Sequence, residues 1–509
     1  MPQSSAVADG TRTPLAASGP VASPTRVLVA VALAAVMLPI SVTGPGVALA
    51  DMSGALHASA ASTQWVLNAY NVAFTALMLA AGSAADLFGR RRLFRLGTTV
   101  FALASLVAGT APTIWLVDVA RFVQGMGAAA VLTSGSTLLA HCFTGAARAR
   151  AFGIFGAAIG FGLAMGPFIS GLLVGAASWH AVFLVNVVLG AVVLLLGRTL
   201  PESRSAEARR IDKPGVLTFT LALMLLALGF VQGPAQGWTS PATLGSFAGA
   251  ALFLAAFAFV ELRSDEPMFD LSLLRSPTFV AIIWQPVSIV FAFAALLVYL
   301  PPYFQGVGGA GSTASGAMLL PLTLPVFLLP LFSGALVKRV SVRMLLAVGP
   351  AVLALALLLM TLTDPVGHRT GMYGALLLAG IGIGLAFGVM DNAAVSVVAP
   401  ERAGMASGMF NTLRVAGETI GVACVAGLLL TSAQGRLTEH RGLADDVVQG
   451  RLDSVRAAGG EALVHQAAAG LEHGWKVVYV VLACVALAGA VAIFTLVRDR
   501  DLDPARHDA

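Results

Sequence analysis

The chain alternates between long apolar runs and short polar breaks, and each run is about as long as one membrane crossing. A hydrocarbon core about 30 Å thick takes about 20 apolar residues at 1.5 Å of rise each. Runs of that kind predict fourteen helices, over 27–50, 64–85, 93–111, 113–138, 151–174, 180–200, 213–232, 243–262, 277–300, 316–337, 343–363, 371–396, 404–430 and 475–497. An even number places both termini on one side. The sharpest break is GSAADLFGRRRLF, residues 82–94, where Asp86 closes one run and Arg90, Arg91 and Arg92 open the next. Two stretches fall outside the pattern. Residues 1–25 are rich in Ala, Ser, Thr, Pro and Gly and predict a disordered tail. Residues 431–474 mix charged and apolar positions as short surface helices do, and read as a passive connector.

Basic residues fix the expected threading, because Lys and Arg accumulate in cytoplasmic loops. Arg369, Arg436, Arg441, Arg451, Arg456 and Lys476 fall on the side opposite the N-terminus, and Arg121 and Arg414 lie inside spans; the other basic residues share the N-terminal side. Both termini are therefore expected in the cytoplasm and 431–474 outside. Arg26, the run after it and Ala48-Leu49-Ala50 imitate a signal peptide, but cleavage would invert the threading that the loops support. Composition agrees with a multi-pass membrane protein: 58% of residues are hydrophobic and 11% charged, against about 25% charged in soluble domains. The net charge of +5 is spread over short loops without interleaved aromatics, so it reads as topology and not as nucleic-acid binding. Cys142, Cys424 and Cys484 have no metal-ligand spacing.

Three motifs on consecutive spans, GSAADLFGRRRL (82–93), RFVQGMGAA (121–129) and GFGLAMGPFISG (160–171), together resemble the major facilitator superfamily. The segments TQWVLNAYNVAF (63–74), WHAVFLVN (179–186), PMFDLSLLRSPTF (267–279), YLPPYFQ (299–305) and GMASGMFNTLRVAGETIGVA (404–423) look like its fourteen-helix drug:proton antiporter branch. The resemblance implies an all-α fold of two six-helix bundles plus two extra central helices. It divides the chain into a cytoplasmic tail (1–25), an N-terminal bundle (26–200), two linker helices (201–275), a C-terminal bundle (276–498) carrying the external loop 431–474, and a second tail (499–509). Departures stand out. Ser41 occupies the place of the branch's first-helix Asp, Lys338 stands in the second half where Asp86 stands in the first, and His180 and Ala181 replace a common Arg and Trp, a change read as superficial.

Several residues carry a functional reading beside a plain one. The resemblance makes Asp86 a conformational latch, with Gly89 for the tight turn and Arg90 and Arg91 as partners; the plain reading is an interfacial charge. It assigns Arg121 to coupling of substrate and proton movement, with Asp118 and Gln124 on its face; the alternative is a structural polar bridge. Gly160, Gly166, Pro167 and Gly171 mark the exporter motif of the fifth helix, as a pivot or as close packing. Arg414 and Glu418 are four residues apart and so positioned to pair, and Glu418 is the leading proton carrier, with a static ion pair as the alternative. Asp391, near a span end, is a weaker carboxylate because it has water within reach. Gln64, Trp65, Asn68, Tyr70 and Gln285 are candidates for the substrate cavity.

The implied function is proton-coupled efflux of small lipophilic compounds by alternating access, with a dedicated exporter of one self-made metabolite, or a non-transporting sensor, as alternatives. No Walker loop or paired acid/base constellation supports ATP use or enzymatic chemistry. The expected partners are a small-molecule substrate, protons and the plasma-membrane bilayer, with no cofactor, metal or nucleic acid, and the expected state is a monomer.

Overall fold

The computed structural model describes residues 24–502 except 59, 199, 203–211, 265–270, 311, 364–368, 399–402 and 451. The expected tail lies outside these residues up to position 23, as does the stretch from 503. Among the described residues the regular structure is entirely helical, as it must be where a bilayer offers backbone groups no partners. The first half holds α1 (Pro24–Thr43), α2 (Pro45–Ala55), α3 (Ala60–Phe88), α4 (Arg90–Thr110), α5 (Ile114–Cys142), α6 (Gly145–Ala176) and α7 (Trp179–Gly197). Two further helices follow, α8 (Lys213–Gln236) and α9 (Pro241–Glu261). The second half holds α10 (Pro277–Gly306), α11 (Ser312–Ala317), α12 (Leu320–Leu331), α13 (Ser333–Leu336), α14 (Val342–Met360), α15 (Arg369–Phe387), α16 (Met390–Ser396), α17 (Ala403–Arg436), α18 (Ala444–Val448) and α19 (Leu452–Leu496).

Eleven of the described helices are long and apolar enough to cross a membrane, and two bent ones raise this to thirteen. One bend, of 55°, lies in α3 between Met78 and Ala80; the other, of 48°, lies in α6 between Leu163 and Phe168 and includes Pro167. The crossing expected over 316–337 is broken into α11, α12 and α13. Pro325 and Pro330 remove backbone donors there, and Phe332 interrupts the helix. The first crossing runs as one span over Pro24–Leu49, with only a turn at Gly44 before Pro45.

Buried apolar side chains gather into separate cores. One is drawn from residues 281–497 and the largest of the others mainly from 27–200. Between them α8 and α9 are zipped together by Phe219 on Phe257 and Phe230 on Phe247, with Trp238 seated against Gly233 and Gly427. The start of α1, the α3–α4 turn, the start of α17 and the end of α19 share one face, which we call the terminal face.

The stretch 431–474 is not a passive connector. Its first residues complete α17, 461–474 belong to α19, and a break at Gly459 and Gly460 sets off a short helix before them. Leu437, Ala444, Val447, Leu452 and Val455 are buried in the C-terminal core, and Gly450, at φ +74°, lies against the backbone of Pro302. Apolar positions spaced among the charges gave this segment a face to bury, so it forms a cap over the far end of that bundle.

Candidate functional site

The largest buried polar cluster of the N-terminal half surrounds Arg121 on α5, which is 0% exposed. Its Nε donates to the Val66 carbonyl of α3 at 2.7 Å, its Nη1 donates to Gln124 Oε1 at 2.6 Å, and its guanidinium lies 4.2 Å from the centre of the Tyr70 ring. Gln124 passes the network on, its Nε2 donating to Ser105 at 2.6 Å and to Ser41 at 3.1 Å, where Asn186 Nδ2 also donates at 3.3 Å. Five helices thus share one charge. Asp118 makes no hydrogen bond to Arg121, and its buried Oδ1 has no hydrogen-bond partner among the described residues; Gln124 on the next turn has the shorter reach. Gly125 permits the approach of α3, because a Cβ there would meet the Tyr70 carbonyl at 2.5 Å. Ser41, at the place of the missing acid, therefore serves as an acceptor. Ser105 and Asn186 were not singled out from sequence, although any polar side chain inside an apolar run is a signal of this kind.

At the terminal face Arg90, 5% exposed, donates to Asp86 Oδ1 at 3.0 Å. Gly89 makes the turn between α3 and α4 at φ +100°, a conformation that costs a residue with a Cβ. Asp86 also accepts the backbone N–H of Met405, in the first turn of α17, so the carboxylate reaches the other bundle at a helix N-terminus. Arg91 is not a partner of Asp86. It donates to the Arg198 carbonyl at the end of α7 at 3.0 Å, because its neighbour already holds the position one turn from Asp86.

The glycines of α6 serve two surfaces. A Cβ on Gly160 would meet the Val326 carbonyl of α12 at 3.0 Å, and Gly156 faces the Phe387 carbonyl of α15, so this part of the helix touches the C-terminal bundle. Gly162 and Gly166 lie against α1, at Val36, Ile40 and Thr43, whereas Gly171 has only Val47 at 3.9 Å. The side chain of Pro167 is outside the described residues.

In α17 the expected Arg414–Glu418 pair is not formed. Arg414 Nη1 donates to both oxygens of Asp391, at 3.0 and 3.2 Å, and its Nη2 donates to Asn411 Oδ1. Asp391 is 3% exposed, so it does not reach water as the sequence reading had it. α15 ends at Phe387 and the chain restarts as α16, which carries Asp391 inward. Glu418 is half-buried and makes no hydrogen bond or ion pair among the described residues, although it acts electrostatically on Tyr70 of the other bundle.

Of the proposed cavity residues, Tyr70 is buried under Arg121 and Trp65 and Asn68 are half-buried. The side chain of Gln64 is outside the described residues. Gln285 turns into its own bundle, donating to the Leu346 carbonyl at 2.8 Å, and so does not face a central cavity. His180 is not superficial either: its ring stacks on Trp179 at 3.8 Å and contacts the Gly109 carbonyl at 2.9 Å.

Two helical bundles that meet along a seam of buried charges and close-packed glycines define a membrane transporter. Residues 29–422 match the Major Facilitator Superfamily, and the chain belongs to that family. It is 34% identical to "Multidrug resistance protein Stp" of Mycobacterium tuberculosis (strain CDC 1551 / Oshkosh), over 81% of this chain and 77% of that one. It is 33% identical to "Tetracenomycin C resistance and export protein" of Streptomyces glaucescens, over 82% and 78%, and 31% identical to "Methylenomycin A resistance protein" of Bacillus subtilis (strain 168), over 80% and 88%. The fold is shared with the proton:xylose symporter XylE, at a TM-score of 0.61 and 11% identity over 93% of this chain and 96% of that one. It is also shared with the human organic anion transporter MFSD10, at 0.59 and 16% over 92% and 99%.

Proposed function

We propose that this protein expels small lipophilic compounds from the cell in exchange for entering protons, by alternating access between two bundles, with the terminal face in the cytoplasm. The observation that carries proton coupling is Glu418: a carboxylate in the middle of a crossing, free of any hydrogen bond or ion pair among the described residues and electrostatically linked to Tyr70 across the seam. A group so placed exchanges a proton between the two faces as the bundles rock. Arg121 would hold the N-terminal side of the path in register, and Asp86 with Met405 would hold the terminal face shut. The resistance proteins among the relatives support efflux as the direction. The working state is a monomer that needs no bound cofactor.

The test is the purified protein in vesicles with an imposed pH gradient, screened over lipophilic dyes and antibiotics. Gradient-dependent flux that collapses with a protonophore is the expected result, and flux indifferent to the gradient overturns proton coupling. Transport of one compound alone would mark a dedicated exporter.

A further inference from the structure

Between the bundles runs a chain of hydrogen bonds with a single direction. Arg414 only donates, so Asn411, which takes its Nη2, must present the amide oxygen to it. The amide nitrogen of Asn411 then faces back along α17, donating to the Ser407 carbonyl at 2.8 Å and to Ser407 Oγ at 3.2 Å. Ser136 of α5 gives its one hydroxyl proton to the Thr133 carbonyl at 2.9 Å. With that proton so placed, Ser407 is the donor in the 2.5 Å contact between the Ser136 and Ser407 hydroxyls, in which either oxygen is able to donate. Asp391, Arg414, Asn411, Ser407 and Ser136 are each 5% exposed or less, so water does not offer substitutes. Only the Ser407–Ser136 link of this chain crosses between the bundles.

We propose that Ser407 and Asn411 are positioning residues that tie the Asp391–Arg414 pair to closure of the terminal face. The proposal rests on the alternating-access reading above. When the bundles part there, Ser407 loses Ser136 as acceptor. Its hydroxyl then turns to a carbonyl of its own helix, as Thr98 and Ser105 already do in α4. That rotation withdraws the hydroxyl oxygen, one of the two acceptors that Asn411 Nδ2 holds on Ser407, and leaves the amide that braces Arg414 with the Ser407 carbonyl alone. The brace on Arg414 Nη2 is then weaker while Nη1 keeps Asp391, so the ion pair registers whether the face is shut.

The test follows closure itself in the full chain, with the three native cysteines replaced and spin labels at Leu96 and Val340, exposed positions on α4 and just before α14. The short and long distances give the ratio of closed to open protein. Ser136→Ala should lower that ratio about threefold to tenfold, the worth of one buried hydrogen bond. In an Asp391→Asn background the same substitution should have an effect smaller by more than about twofold; equal effects in the two backgrounds, within about twofold, overturn the proposal. Should Asp391→Asn fail to fold, Asn411→Leu takes its place in the cycle with the same two outcomes. Ser136→Ala and Ser407→Ala together should cost little more than either alone, and fully additive losses also overturn it. No substrate or gradient is present, so failure of this coupling and failure of proton-driven efflux are separate results.

Discussion

Gly160 and Gly166 lie six residues apart in one motif of α6, yet the structure gives their substitutions different consequences. A Cβ on Gly160 would lie 3.0 Å from the Val326 carbonyl oxygen and 3.1 Å from Val326 Cγ1, both on the other bundle. Backbone oxygen on a packed helix yields only by moving the helix, by a few tenths of an ångström here. Overpacking of a tight contact costs about 1–3 kcal/mol, and a contact this close to ordinary separation belongs in the lower half of that range. Because the contact exists only while the bundles touch, the whole cost falls on the closed state. Gly160→Ala should therefore lower the ratio of closed to open protein about fivefold to thirtyfold, at about 1.4 kcal/mol per factor of ten.

A Cβ on Gly166 instead meets the Thr43 hydroxyl and, at 3.3 Å, Ile40 Cα, both on α1 of its own bundle. Thr43 would turn away and give up its bond to the Pro39 carbonyl, a loss of about 0.5–1.5 kcal/mol that open and closed states share. Gly166→Ala should lower the thermal midpoint of the purified protein and leave the ratio within about twofold of the parent. The spin-label pair at Leu96 and Val340 reads the ratio, and a melting curve reads the stability. A Gly160→Ala protein with an unchanged ratio, or a Gly166→Ala protein with as large a change, would refute the assignment of these two surfaces.

Other expectations are as direct. Asp86→Asn keeps the shape but loses the charge that Arg90 and the Met405 N–H share; closure should fall by about tenfold and flux with it, and near-normal flux in an inserted variant would remove Asp86 from the latch. Arg121→Lys supplies a point charge that cannot serve the Val66 carbonyl, Gln124 and the Tyr70 ring together, so gradient-driven flux should drop by more than about tenfold and the thermal midpoint should fall with the lost hydrogen bonds. Glu418→Gln should abolish accumulation against a gradient but keep passive exchange of substrate; a variant that still pumps uphill makes Glu418 structural and turns attention to Asp391 and Asp118. For the threading, a cysteine at Gly442 should be labelled from outside the cell and one at Ser205 should not, and the reverse pattern would invert the topology.

What the sequence displayed well was whatever depends on short-range order. The lengths of apolar runs mark crossings because a bilayer has one thickness. Gly89 marks a turn because a glycine between Phe88 and three arginines has a conformational use, and the φ of +100° shows it. The cap escaped notice for the opposite reason: Leu437, Val447, Leu452 and Val455 are spread among charges at no single period, since they belong to several short helices. The broken crossing at α11–α13 was read as one helix because hydropathy counts proline as a tolerable residue, while the backbone counts the donors it removes.

The pairing of Arg414 shows where local rules give out. Spacing of four residues on one helix makes Glu418 its natural partner, and an isolated helix would accept that pair. Such a pair gains only a few tenths of a kcal/mol at a water-exposed surface, and a carboxylate from another helix that brings both oxygens to the guanidinium outweighs it. Asp391 can do so because α15 stops at Phe387. Gly388 stands at that break, and its missing side chain lets Ser333 and Pro330 come close. The deciding feature is thus a helix break twenty-six positions from the arginine, visible in sequence only as one more small residue in an apolar run. Its consequence is that Glu418, in the centre of the crossing, has no ion pair among the described residues, and the proposal of proton coupling rests on that placement.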